Sequence, residues 1–285
     1  MTKTILAALS GLASDRTVLE SAVAAARIEG GHIQCLHTRI DAVETAAMLQ
    51  STAPRQGDLH GLLQQIAAQE NERSAHARGV FDEICKQHAL VQLDTPSGDA
   101  AISITWTESE TMLNQTLHES RFHDLTVMGR DRELSAEHII SVLMQSGRPL
   151  LLAPPQPSDT IGRTIAIAWK ASAEAARALT AASFLLAKAQ KVIILSVAEE
   201  SGDGARLSAE HLAGQLAWQG IKAEIRMGTA PTVSTTQSLV EMAYDCGADL
   251  LVMGAYGHNR VREFIFGGVT RELLATGALP LFMVR

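Results

Sequence analysis

The chain has few aromatic residues: Phe, Trp and Tyr make up 4% of its 285 residues. Leu, Val, Ile and Ala must therefore fill its cores, within a total apolar content of 46%. Cysteine is as scarce. Cys35, Cys85 and Cys246 are odd in number and lack C-x-x-C spacing, which excludes a disulfide framework and a zinc knuckle and points to the reducing cytoplasm. No basic run occurs, and the formal net charge is -7. A nucleic-acid surface needs clustered Lys and Arg, so no nucleic-acid partner is expected. No apolar run approaches the roughly 18 residues of a membrane span, so no membrane partner is expected either. The opening MTKTILAALS has too short an apolar part for a signal peptide, and Asp15 and Arg16 soon follow. It reads as a first strand.

Catalytic signatures are missing too. Neither G-x-x-x-x-G-K-[ST] nor G-x-S-x-G is present. His118 and His123 are five residues apart, and five residues turn a helix by about 500°, which sends the imidazoles to different faces. Gly202 and Gly204 lack the third glycine of a dinucleotide fingerprint, and Ser10 to Asp15 lacks the second glycine of a phosphate loop and reads as a helix N-cap. Glu241 and Asp245 mark a solvated helix face, and His32 and His37 read as surface or core histidines. Nothing assembles a nucleophile, a base and an oxyanion hole, so no dedicated enzyme is expected.

What the chain does have is alternation. Apolar runs of strand length (4–9, 32–38, 101–107, 125–129, 149–153) interleave with helical patterns (15–29, 58–88, 111–123, 135–145). Residues 39–57 are irregular and read as a surface excursion. A Pro-rich stretch at 154–163 follows, and the order then repeats, with strands at 164–168, 192–197, 223–227, 250–254 and 281–284. The helices between them are read at 172–188, with Ser172 as N-cap, at 208–218 and at 233–244. The copies match at Asp124–Gly129 (DLTVMG) against Asp249–Gly254 (DLLVMG). This pattern predicts an α/β chain of two tandem open parallel five-stranded sheets with helices on both faces. Residues 1–153 and 164–285 would be the two domains, joined by a linker at 154–163.

The most informative stretch runs from Asp249 to Thr270. A buried strand ends at Gly254, Gly257 follows, and Gly267 and Gly268 open a helix that stops at Gly277 before Pro280. Glycine lets the backbone approach a ligand, and free N–H groups at a helix N-terminus favour an anion, so this is a candidate phosphate cradle. Gly254-x-x-Gly257, nine residues, then Gly267 and a small residue resembles the nucleotide loop of the universal stress proteins, G-x2-G-x9-G-(S/T). The resemblance implies a Rossmann-like, adenine nucleotide alpha hydrolase-like fold and a cytoplasmic stress-response regulator that binds an adenine nucleotide, ATP above all, with or without Mg. It also implies that Ala168 and Lys170 end the first strand of the second copy and that Val197 edges the adenine. Met253, Gly254, Gly257, Gly267, Gly268, Val269 and Thr270 would hold ribose and phosphates, while His258 and Arg260 either add donors or form a solvated loop face.

Two departures matter. Lys170 stands where the family commonly has an Asp that accepts from the nucleoside, and an ammonium only donates. Gly268 replaces a hydroxyl residue yet keeps its N–H. In the first copy Gly129 has no glycine three residues on, and Ala136 and Glu137 replace the glycine pair, so that copy is expected to be blind to nucleotide. The resemblance further implies an intramolecular pseudo-dimer through 149–153 and 281–284, with homodimerisation a further possibility. Two other readings stand beside this one, a nucleotide-free interaction module and a weak ATP hydrolase.

Overall fold

The computed structural model describes residues 3–39, 59–96, 102–109, 115–131, 136–158, 160–197, 204–228, 235–255 and 279–285. In the N-terminal half, β1 (Thr4–Leu9), α1 (Asp15–Glu29) and β2 (His32–Thr38) fall where the apolar patterns put them. Helix α1 buries Val18, Leu19, Ala22, Val23 and Ala26 on one stripe and ends at Gly30, whose φ of 75° only glycine adopts freely. The long helix α2 (Leu59–Gln87) leads to β3 (Val91–Gln92) and β4 (Ser103–Ser109). Then come α3 (Gln115–Ser120), β5 (Leu125–Met128), α4 (Ala136–Gln145) and β6 (Leu150–Leu152). Strand β3 was not expected; two exposed residues are too few to show a period.

The C-terminal half comprises β7 (Thr164–Ala168), α5 (Ala173–Ala181), α6 (Ser183–Leu186), β8 (Lys191–Val197) and α7 (Gly204–Trp218). It ends with β9 (Ala223–Gly228), α8 (Thr235–Asp245), β10 (Leu250–Gly254) and β11 (Leu281–Val284). Ser172 caps α5 as the sequence suggests, its hydroxyl accepting from Ala175 N. The single helix expected over 172–188 is broken at Ala182. That residue has ψ near 2°, and the following turn buries Phe184, Leu185 and Leu186 where α6 packs against α1.

The strands form one sheet in the order β3-β4-β2-β1-β5-β6-β11-β10-β7-β8-β9. Leaving β3 aside, each half has its strands in the order third, second, first, fourth, fifth, all parallel. The two sheets expected from the sequence are thus continuous. The halves meet where β6 and β11 pair antiparallel, with Leu281 opposite Leu152, Phe282 opposite Leu151 and Met283 opposite Leu150. Pairing two short apolar strands removes two edges that would otherwise expose hydrogen-bonding groups.

Side chains alternate across this sheet into two apolar layers, each drawing on both halves. One contains Ile5, Val127, Leu151, Ile165, Val252 and Phe282; the other contains Met128, Leu150, Leu152, Ala166, Leu251 and Met283. The repeated aspartate of DLTVMG and DLLVMG has a structural task in each half. Asp124 accepts from Lys3 N at 2.9 Å and Thr4 N at 3.1 Å, and Asp249 accepts from Gly162, Arg163 and Thr164 N at 2.9–3.1 Å. Each carboxylate thereby fixes the start of its half's first strand beside the fourth.

Candidate functional site

In a sheet of this order, the reversal of strand order falls between the first and fourth strands, and ligands collect outside the carboxyl ends there. In the C-terminal half the switch lies between β7 and β10. Met253 pairs in register with Ala168, and Ala168 with Leu195, two residues before Val197 on β8. The structure therefore brings Ala168, Val197 and Met253 to one edge of three adjacent strands. All three are partly exposed there. Ala168 and Met253 lean on the apolar layer beneath α8, and Val197 and Met242 of α8 crowd the space beside Gly228.

Lys170 lies two residues beyond β7 and is exposed. Between them Trp169 turns to the opposite face, where its indole N–H donates to Ser208 Oγ of α7 at 2.9 Å. That bond ties the end of β7 to α7, and no local pattern signals it, because only the sheet order makes the two residues neighbours. Gly254 has a defined reason to be glycine. A Cβ there would meet the backbone of Glu174 and Ala175 at 2.5–2.6 Å, in the first turn of α5. Gly257, His258, Arg260, Gly267, Gly268, Val269 and Thr270 lie outside the described residues.

The same edge of the N-terminal half is built differently. Gly129, the counterpart of Gly254, presses on Ser14 just before α1. Gly11 (φ 73°) lies against Arg73 of α2, and Arg73 meets the buried Glu70 at 3.4 Å. The expected N-cap differs in detail. Ser14 makes no side-chain cap bond; its hydroxyl donates instead to Asp131, beyond β5. The carboxylate of Asp15 turns back to accept from Ser10 N at 2.8 Å and Gly11 N at 2.9 Å. Burial pushes the Asp15 carboxyl above its ordinary value, with those N–H bonds opposing and the charge of Asp131 adding to the rise. Buried Arg130 donates to Leu279 O of the C-terminal half at 2.5 Å, and desolvation brings its guanidinium down to about 10. Sequence reasoning missed this network because it pairs residues about 120 positions apart.

Among the described residues no group of His, Cys, Asp and Glu could hold a metal ion, and no helix is long and apolar enough to cross a membrane. His37 is buried and donates Nδ1–H to Leu9 O at 3.2 Å; His32 bonds Ser103 Oγ at 2.9 Å.

Strand order, crossovers and a layer of helices on each face define an α/β protein of the doubly wound, Rossmann-like class. Residues 162–285 match the model of the universal stress protein family. A universal stress protein of Synechocystis sp. is 35% identical over 49 residues, a match spanning 17% of this chain and 17% of that relative's length. The solved universal stress protein of Archaeoglobus fulgidus superposes with a TM-score of 0.67 at 16% identity, over 99% of this chain and 96% of that one. A functionally unknown protein of Pseudomonas aeruginosa gives 0.58 at 12% identity, over 99% and 92%. Those two likenesses bear on the fold.

Proposed function

We propose that this chain is a cytoplasmic stress-response regulator whose C-terminal half binds an adenine nucleotide, ATP in the first place, with or without Mg. The observation that carries the reading is the in-register meeting of Ala168 and Met253 at the switch between β7 and β10, directly before the glycine motif. Val197 would edge the base. Main-chain N–H groups of Gly257, Gly267, Gly268, Val269 and Thr270 would take the phosphates, with Gly254 and His258 beside them. Lys170, exposed at the same edge, would serve a phosphate as a point charge. Residues 1–153 and 164–285 act in this reading as two domains joined by 154–163, forming a pseudo-dimer through β6 and β11. Any hydrolysis would be slow, since no positioned base or arginine finger is evident among the described residues.

The packing of Gly254 on α5 favours a second reading. That glycine is required by the fold whether or not a ligand is present, and the chain would then be a nucleotide-free interaction module. Acid extraction of the purified chain followed by nucleotide chromatography, with calorimetry against millimolar ATP, separates the two. Bound nucleotide or a saturable heat that Gly267→Glu abolishes supports the first. An empty chain with no heat supports the second.

A further inference from the structure

At the carboxyl end of β1 two carboxylates flank one hydroxyl. Asp15 is fully buried, and its Oδ1 lies 3.1 Å from Ser10 Oγ. Asp131 approaches from beyond β5. Its Oδ2 lies 3.1 Å from the same Ser10 Oγ and also takes the Ser14 hydroxyl, while its Oδ1 is 3.2 Å from Ser14 N. A hydroxyl has one proton and donates once. With both carboxylates ionised, one contact to Ser10 Oγ would oppose lone pairs beside the buried Asp15. One additional proton removes the conflict: one carboxyl donates to Ser10, and Ser10 donates to the other.

We infer that Asp15 and Asp131 hold one proton between them through Ser10, making this edge of the N-terminal half a latch that acid tightens and alkali loosens. Burial of Asp15 and the nearby charge of Asp131 act in the required direction. Among the described residues, the other titratable or charged groups facing the cluster are Glu70 and Arg73 from α2, Cys35 and His37 from β2, and Arg130 from beyond β5. The latch ties the end of β5 to the start of α1. The residue next to Asp131 is Arg130, which reaches across to Leu279 O just before β11, so loosening the latch would be felt at the junction with the C-terminal half. None of this depends on a ligand in that half.

The test is carbon-13 NMR of the assigned aspartate carboxyls of the full chain across pH. Asp15 should take up its proton above the ordinary aspartate value of about 3.9, and Asp131→Asn should move that midpoint downward by removing the neighbouring charge. An Asp15 midpoint at or below the ordinary value, or one that Asp131→Asn leaves in place, overturns the inference. Denaturant unfolding against pH gives a second readout. The folded chain holds a proton that the unfolded chain releases, so wild type should lose stability as pH rises from the ordinary value to the Asp15 midpoint. Asp15→Asn should flatten that window if it folds, and Asp131→Asn should narrow it. An unchanged slope in Asp131→Asn also overturns the inference.

Discussion

Thr4 and Thr164 start the first strands of the two halves, each held by the aspartate that begins the fourth. Six residues on, the N-terminal half has Ser10 between the buried Asp15 and the half-buried Asp131, and the C-terminal half has the exposed Lys170. The halves share a strand order and the close packing of Gly129 and Gly254 on the first helix. They differ in what fills the carboxyl edge. In the N-terminal half, Asp15, Asp131 and the 29-residue helix α2 occupy it; the C-terminal counterpart of α2, helix α7, has 15 residues. The contrast separates two kinds of glycine. Gly254 belongs to the architecture both halves require, so among the glycines of the motif only Gly257, Gly267 and Gly268 argue for a ligand.

The largest expected effect tests whether the halves are one cooperative body. Phe282 is fully buried in an apolar layer shared by both, opposite Leu151. Phe282→Ala should cost about 3–5 kcal/mol and lower a single unfolding transition, read by circular dichroism and by Trp106 and Trp218 fluorescence alike. Two transitions, with the N-terminal one unmoved, would break the comparison into independent domains. Next comes the shared glycine. Gly254→Ala drives a Cβ into the backbone of Glu174 and Ala175, and Gly129→Ala drives one chiefly into the Ser14 side chain. Backbone yields less than a side chain, so Gly254→Ala should cost about 1–3 kcal/mol by denaturant titration and Gly129→Ala less. The reverse ranking would refute this account of what each glycine packs against.

A smaller effect concerns Asp124. Partial burial raises its carboxyl, but the bonds from Lys3 and Thr4 and the charge of Arg148 outweigh that and hold it below the ordinary value. Its contribution is therefore present above the ordinary aspartate value and lost as pH falls through its folded value. Asp124→Asn should cost about 1 kcal/mol at neutral pH and little in strong acid, as thermal melts at several pH values would record.

Much of the fold was legible, because apolar runs of strand length and helical stripes are local signals. Strands β1, β2 and β7 and helix α1 match their expected limits, and DLTVMG against DLLVMG disclosed the repeat. The joining of the two sheets could be read only from the resemblance, since neither Leu150–Leu152 nor Leu281–Val284 carries a mark of its partner. At the candidate site, Ala168, Val197 and Met253 were legible as strand ends. Trp169 with Ser208, and Ser10 with Asp131, were not, because hydrogen bonds between distant residues leave no periodicity.

The smallest expected effect is a null, and it sharpens the comparison most. Ala136 opens α4 at the place corresponding to Gly267, and Glu137 beside it is exposed. If a small residue at this helix start were enough to make an anion site, Ala136→Gly would give the N-terminal half some nucleotide binding. The surrounding charge argues otherwise, with Glu137 in the first turn and Asp131 at the strand edge. Glycine there should cost up to about 1 kcal/mol through helix propensity and leave the calorimetric stoichiometry for ATP as in wild type. A second binding event in Ala136→Gly would mean that backbone shape outweighs local charge in this fold, and the N-terminal half would then be one substitution from a working site.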